Sequence, residues 1–373
     1  TGGGGRNNGS TRADFTNYIE TAPVSSLDAI LWLEADRMKT LDFSAATLKN
    51  QQDVVKEEIR VNVKNQPYGG FMWIDIAQHG FQKWENNHDG YGSFEDLEGA
   101  SLDDVRAFHR DYYGPNNAVL AIAGDVTPAQ GFALAKKYFG GIAMRPTPKP
   151  GDFSEPLNTK EKRIEQSDAL AQVPAIATAW KVPARGSKDH AAMAVLSEVL
   201  AGGDASLFYQ GLVKGREIAL NVNGSFGLTD AWDFDGPTQF VVFALYKPNG
   251  TADTLLAAMD ADITKVVKDG VPPEMLARVK TQMLADWNNK LESFIDRADT
   301  LARLQTLWGD ANVVNRIPGW IDGVTSADLQ RVAATYLTAA NRTTIDRQPV
   351  AAAGAPVRAT VRPPAEANAA GTK

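Results

Sequence analysis

The stretch QQDVVKEEIR (residues 51–60) sets two adjacent glutamates in a helical pattern. Leu48, Val54, Val55, Ile59, Val61 and Val63 define an apolar direction along this segment. On ideal helix geometry Glu57 lies about 160° from that direction and Glu58 about 60° from it. Glu57 is therefore expected in solvent. Glu58 is expected on the flank of the buried stripe, where a carboxylate needs a cation, a set of N–H donors or a metal ion. Periodicity alone favours the salt bridge. Metal chemistry would need histidines, and the four present are His79, His88, His109 and His190. No two are three or four residues apart, and neither H-x-x-E-H nor H-E-x-x-H occurs, so each is expected in a surface or packing role and no complete metal site is expected in this chain.

The elements that position these residues belong to an ordinary globular composition, with 43% hydrophobic and 22% charged residues. A length of 373 residues exceeds one ordinary core and predicts two domains. A net charge of −7, with no basic cluster interleaved by aromatics, argues against nucleic acid. The absence of cysteine excludes disulfides, thiolate chemistry and Cys-ligated zinc. No apolar run approaches the roughly 20 residues of a membrane span, and FVVFALY reads as a buried strand. The chain starts at Thr1 without a charged-then-apolar leader, so any targeting signal is expected outside it.

Two distant segments match. SLDDV (residues 101–105) runs on to Tyr112 and Asn117, and TSADL (residues 325–329) runs on to Tyr336 and Asn341, at a constant offset of 224. Each reads as a capped amphipathic helix ending near Tyr, a turn, then a strand. NGS followed by TNYIE (residues 8–10 and 16–20) likewise resembles NGS followed by TQFVV (residues 223–225 and 238–242). Chance similarity between amphipathic helices is the competing reading, but agreement at several points in one order favours duplication. A proline-rich linker is expected over residues 145–159, between domains at 1–144 and 160–348, with a disordered tail over 349–373. Subtracting the offset places the start of the first copy roughly sixty residues before Thr1, so the first domain is expected to be incomplete at its N-terminus. Its absent elements would include a counterpart of the helix over residues 187–203. Strands at VPAIATAWKV and TQFVVFALY, alternating with helices such as LDAILWLEADRMK and DTLLAAMDADITKVV, predict an α+β fold with helices on one face of each sheet.

GGGGRNNGSTRADFTNYIETAP, LWLEADRM, QQDVVKEEIR, NQPYG, EDLEGASLDDVRAFHRDYYGPNNAVLAIAGDV and SLFYQGLVKGREIALNV together resemble the pitrilysin/insulinase family of zinc peptidases, in particular its bacterial single-half members. The resemblance implies two homologous pitrilysin-like α+β domains, the first incomplete. It also implies peptide hydrolysis by zinc-activated water, without a covalent intermediate. In that family two histidines and a glutamate of H-x-x-E-H lie on one helix, and the third zinc ligand is the second Glu of the VVKEE segment. That ligand is Glu58 here, and the histidine helix would fall upstream of Thr1. Another family glutamate, seven residues earlier, is replaced by Gln51. NNGST resembles the family's substrate-pairing edge strand, which Asn8, Gly9 and Ser10 would line; a Gly/Asn turn is the alternative. An Arg…Tyr pair that grips substrate in some members is replaced by Val213 and Leu220. A second half-subunit, another chain or another copy, is therefore expected as partner, in a periplasmic or secreted setting. A non-catalytic scaffold or binding subunit of the same family is the alternative function.

Overall fold

A computed structural model describes residues 4–149, 151–227 and 230–350; most of the expected tail, residues 351–373, lies outside the described residues. The first unit opens on a hairpin of β1 (Arg6–Thr11) and β2 (Thr16–Thr21). Helices α1 (Leu27–Lys39), α2 (Ala45–Ile59), α3 (Ile76–Gly80), α4 (Trp84–Asn87), α5 (Phe94–Gly99), α6 (Leu102–Tyr112) and α7 (Pro128–Phe139) follow. The second unit runs β3 (Lys162–Asp168), β4 (Ala175–Lys181), α8 (His190–Ala201), β5 (Ala219–Phe226) and β6 (Gln239–Tyr246). It continues through α9 (Ala252–Asp269), α10 (Pro273–Lys290), α11 (Phe294–Trp308), α12 (Val313–Gly323), α13 (Ser326–Tyr336) and β7 (Arg342–Pro349). The chain is α+β, as expected, and β7 runs one residue past the expected start of the tail.

The second sheet has the order β3-β7-β4-β6-β5, with β3 and β7 parallel and the remaining neighbours antiparallel. Helix α8 is apolar nearly all round, and its Met193, Leu196 and Leu200 are fully buried against this sheet and the surrounding helices. The opposite face is covered by the first unit, where Phe71 and Ile76 lie over Ala175, Ala177, Ala179, Val241 and Ile345. The alanines of β4 let the two backbones approach closely. A tight turn delivers Phe71: there is no room for a Cβ at Gly69 against the Val63 carbonyl, and Gly70 has φ +74°.

Helices α6 and α13 keep the offset of 224 at both ends and share their end chemistry. Ser101 with Asp104 and Thr325 with Asp328 form matching capping boxes. At the far ends Asn117 Nδ2 donates to Tyr112 O at 2.9 Å, and Asn341 Nδ2 donates to Tyr336 O at 2.8 Å. The shared bond sits in different surroundings. Asn117 is exposed, whereas Asn341 is buried, also donates to Lys181 O at 2.8 Å and accepts the Asn158 N–H at 3.1 Å. Asn341→Ala strands several buried backbone groups and should cost about 2–4 kcal/mol, against less than about 1 kcal/mol for Asn117→Ala. Urea unfolding of the two variants checks this.

The units part company after these helices. In the second, residues 342–349 form β7 between β3 and β4. In the first, the strand expected after the turn does not form among the described residues: residues 118–123 have no strand partner, Val119 and Leu120 are 39% and 46% exposed, and the chain bends at residues 124–125. A strand needs neighbours, and the described first unit holds no counterparts of β3, β4 or α8. Its sheet is therefore the hairpin alone.

Candidate functional site

Helix α2 starts at a capping box of Ser44 and Thr47 and packs on α5 through a largely polar face. Gln52 Nε2 donates to Leu97 O at 2.7 Å, and Lys56 Nζ to Glu98 Oε1 at 2.8 Å. Lys56 and Ile59 are the buried residues of the helix. This face corrects the expectation for Glu58. The apolar count pointed the helix along its valines, but the polar heads of Gln52 and Lys56 find partners on α5 and turn Val54 and Val61 outward, at 42% and 46% exposed. Glu58 is accordingly exposed, not on the flank of a buried stripe, and carries no hydrogen bond or ion pair among the described residues. Glu57 is also exposed, with Arg60 Nη1 3.1 Å away. Immediately beyond, the helix widens into a π-turn at Arg60–Lys64, closed by Asn65 N–H donating to Arg60 O at 2.8 Å.

The histidines do not join Glu58. His109 is buried beneath Phe43 and Tyr113, and its backbone carbonyl accepts from Arg145 at 3.1 Å. His190 sits among Phe226, Trp232, Phe234 and Trp308, with Nε2 2.6 Å from Ala231 O. Burial pushes its pKa down to about 4. Among the described residues no three His, Cys, Asp or Glu side chains are grouped to hold a metal ion. One exposed carboxylate does not fit zinc, which takes at least three protein ligands. No catalytic step is therefore assigned to this chain's residues.

Asn8, Gly9 and Ser10 lie in β1, not in a turn; the turn is at residues 12–15, where Arg12 N–H donates to Phe15 O at 2.8 Å. They face Ile19, Tyr18 and Asn17 of β2. The other side of β1 has no strand partner among the described residues. The Gly9 N–H is taken by the Asn8 side-chain oxygen at 2.9 Å. Ser10 Oγ donates to Asn17 Oδ1 at 2.5 Å, and Asn17 Nδ2 donates in turn to Asp299 on α11, fastening the hairpin to the second unit. Beside it, unremarked in the sequence, the Arg37 guanidinium stacks 3.5 Å over the Tyr18 ring, and the Tyr18 and Tyr113 hydroxyls are 2.8 Å apart. A basic residue on α1 and single tyrosines on β2 and after α6 share no sequence pattern. Val213 packs against the second core from a π-turn, whereas Leu220 is 47% exposed on β5.

A model of the family described as "Peptidase M16 inactive domain" matches residues 99–283. The zinc protease PqqE of Helicobacter pylori is 28% identical over 357 residues, covering 93% of this chain and 77% of that protein. A solved protease structure from Helicobacter pylori superimposes with a TM-score of 0.85 at 26% identity, covering 93% of this chain and 82% of that one. The chain belongs to the M16 peptidase family.

Other M16 relatives agree. An uncharacterized zinc protease of Bacillus subtilis, YmxG, is 23% identical over 340 residues, covering 88% of this chain and 76% of its own. The M16 inactive domain from Pseudomonas fluorescens shares the fold, with a TM-score of 0.80 at 15% identity over 94% of this M16 chain and 82% of that one.

Proposed function

We propose that this chain forms most of one half of a zinc-dependent M16 metalloendopeptidase and does not hydrolyse peptides by itself. The observation that carries this reading is Glu58: an exposed, unpaired carboxylate at the end of α2, in the unit whose described residues hold no counterparts of β3, β4 and α8. A carboxylate so placed is free to serve as one ligand of a metal whose other donors come from a helix outside the described residues. The open side of β1, with Asn8, Gly9 and Ser10, offers backbone groups to an extended peptide once the Asn8 side chain swings off the Gly9 N–H. A second half-shell from another chain belongs to the same reading, because Val213 and Leu220 offer neither a cation nor a phenol to substrate. So does a periplasmic or secreted setting.

The match to an inactive-domain model favours the second reading, a non-catalytic binding subunit. Zinc separates the two. The 373-residue chain alone should retain no stoichiometric zinc after dialysis and should cleave no peptide. In the native protein purified from its own cells, Glu58→Gln should lower zinc occupancy and peptide hydrolysis by about 100-fold or more, and Glu57→Gln should leave both within about twofold. A native protein without zinc, or one indifferent to Glu58→Gln, would establish the binding-subunit reading instead.

A further inference from the structure

The second unit contains a cleft of 300 Å³ between α8, α10 and the end of β5. Trp232 and Trp287 line it together with Glu198, Asp230, Asp286 and Lys290. Two of the charges are already matched, since Lys290 Nζ lies 3.0 Å from Asp230 Oδ2. Glu198 and Asp286 have no hydrogen bond or ion pair among the described residues, which leaves the cleft with an excess of negative charge. A Cβ at residue 202 would collide with the Glu198 carboxylate, so Gly202 is what lets that group stand in the cleft. Burial pushes the Glu198 pKa up, and the negative charges of Asp286 and Asp230 add to the effect.

A second observation is independent of the carboxylates. Trp232, 4% exposed overall, lines the cleft; its indole N–H makes no hydrogen bond to the described residues and is not among the polar atoms sealed from solvent, so it is open to an acceptor. The lining also chooses between kinds of cation. Its carboxylates are not grouped closely enough for a metal ion, whereas two indoles beside unpaired carboxylates suit an organic cation on an apolar stem.

The carboxylate of α10 in the cleft has a parallel on α2. Counted from the helix N-caps, Ser44 and Pro272, Glu58 and Asp286 are each fourteen residues along. Both helices thus carry a carboxylate fourteen residues past the N-cap. In the second unit α8 stands beside it and a walled cleft results.

We propose that this cleft binds the guanidinium or ammonium group of a basic residue in a peptide. The cation sits between Glu198 and Asp286, and a peptide carbonyl accepts from Trp232 Nε1–H. That the cation is borne on a peptide rests on the peptidase reading; the cleft and its charge do not.

The test uses the whole chain, the blocked tripeptide Ala-Arg-Ala and its neutral citrulline counterpart, with binding followed by tryptophan fluorescence and calorimetry. The arginine peptide should bind about tenfold or more tightly than the citrulline peptide. Glu198→Gln and Asp286→Asn should each shrink that preference, and the double variant should abolish it. Both changes relieve repulsion between like charges, so melting temperatures should hold or rise and loss of fold should not confuse the result. Equal binding of the two peptides, or a preference that survives in the double variant, would overturn the proposal. Glu58→Gln should leave the preference intact, and neither zinc nor hydrolysis enters the readout. Failure of the metallopeptidase reading would therefore leave this measurement standing.

Discussion

Glu155→Gln should destabilise the protein by about 3–5 kcal/mol, the range for breaking a buried ion pair. Glu155 lies in the proline-rich segment between the units, and its side chain is fully sealed from solvent. The carboxylate accepts the Gln82 and Lys83 N–H groups at 3.0 and 2.7 Å, Asn86 Nδ2 at 3.2 Å and Lys181 Nζ at 2.9 Å. Gln82, Lys83 and Asn86 belong to the first unit and Lys181 ends β4, so one side chain fastens both units to the linker. Glutamine would leave the Lys181 ammonium, 3% exposed, without its counter-charge and would turn an NH2 group toward other donors. Burial alone would raise the Glu155 pKa, but the converging donors outweigh it and hold it down at about 2. A depressed carboxylate contributes stability above its unfolded value near 4.5, and that contribution is lost as pH falls from 4.5 toward 2. Urea unfolding at pH 7 should show the full difference between wild type and variant, and at pH 3 the gap should narrow. A difference below about 1 kcal/mol at pH 7 would mean that Lys181 finds another partner.

Phe71→Ala should cost about 3–5 kcal/mol as well, through a cavity instead of a charge. The ring is 1% exposed, meets Phe243 edge-on at 6.0 Å, and carries the Arg347 guanidinium 4.3 Å above it. Arg347 is itself held by Asp75 and Gln166, so the ring and the cation lock the segment around residue 71 to β7 and β3. Truncation should loosen this contact before either core. Calorimetry should show a lowered first transition, and limited proteolysis should cut faster in the proline-rich segment. Phe71→Leu, which keeps most of the volume, should recover more than half of the loss.

Local signals carried far in this chain. The Ser101 and Thr325 caps, the constant offset and the strand at residues 239–246 were all legible because they are written in neighbouring residues. What failed to show depends on distant partners. Nothing in the local pattern marks Gln52 and Lys56 as contact residues, because α5 supplies their acceptors, and the face they set turned Glu58 from the expected flank of the buried stripe to an exposed position. Residues 118–123 have a strand's composition but no neighbours, which no local pattern records. The Glu155 hub joins a linker to groups in two units, and the Trp232 cleft draws Glu198 and Asp286 from two helices and Trp232 from the loop between β5 and β6. Neither has a sequence period. Glu58 was singled out by resemblance as much as by helix position.

Strand β4 is buried on both faces, by α8 on one side and by the segment around Phe71 and Ile76 on the other. Two units in one chain are naturally imagined to open and close as separate cooperative blocks. Here the amide protons of β4 exchange with water only after both coverings part, so the slowest-exchanging set should include first-unit backbone around residues 71–76 together with β4, β6 and β7. The boundary of cooperative unfolding then falls inside the first unit and not at the proline-rich segment between the units. The first unit divides between a portion that shares the stability of the second unit and a hairpin-and-helix remainder, with the unpaired segment 118–123, that exchanges early.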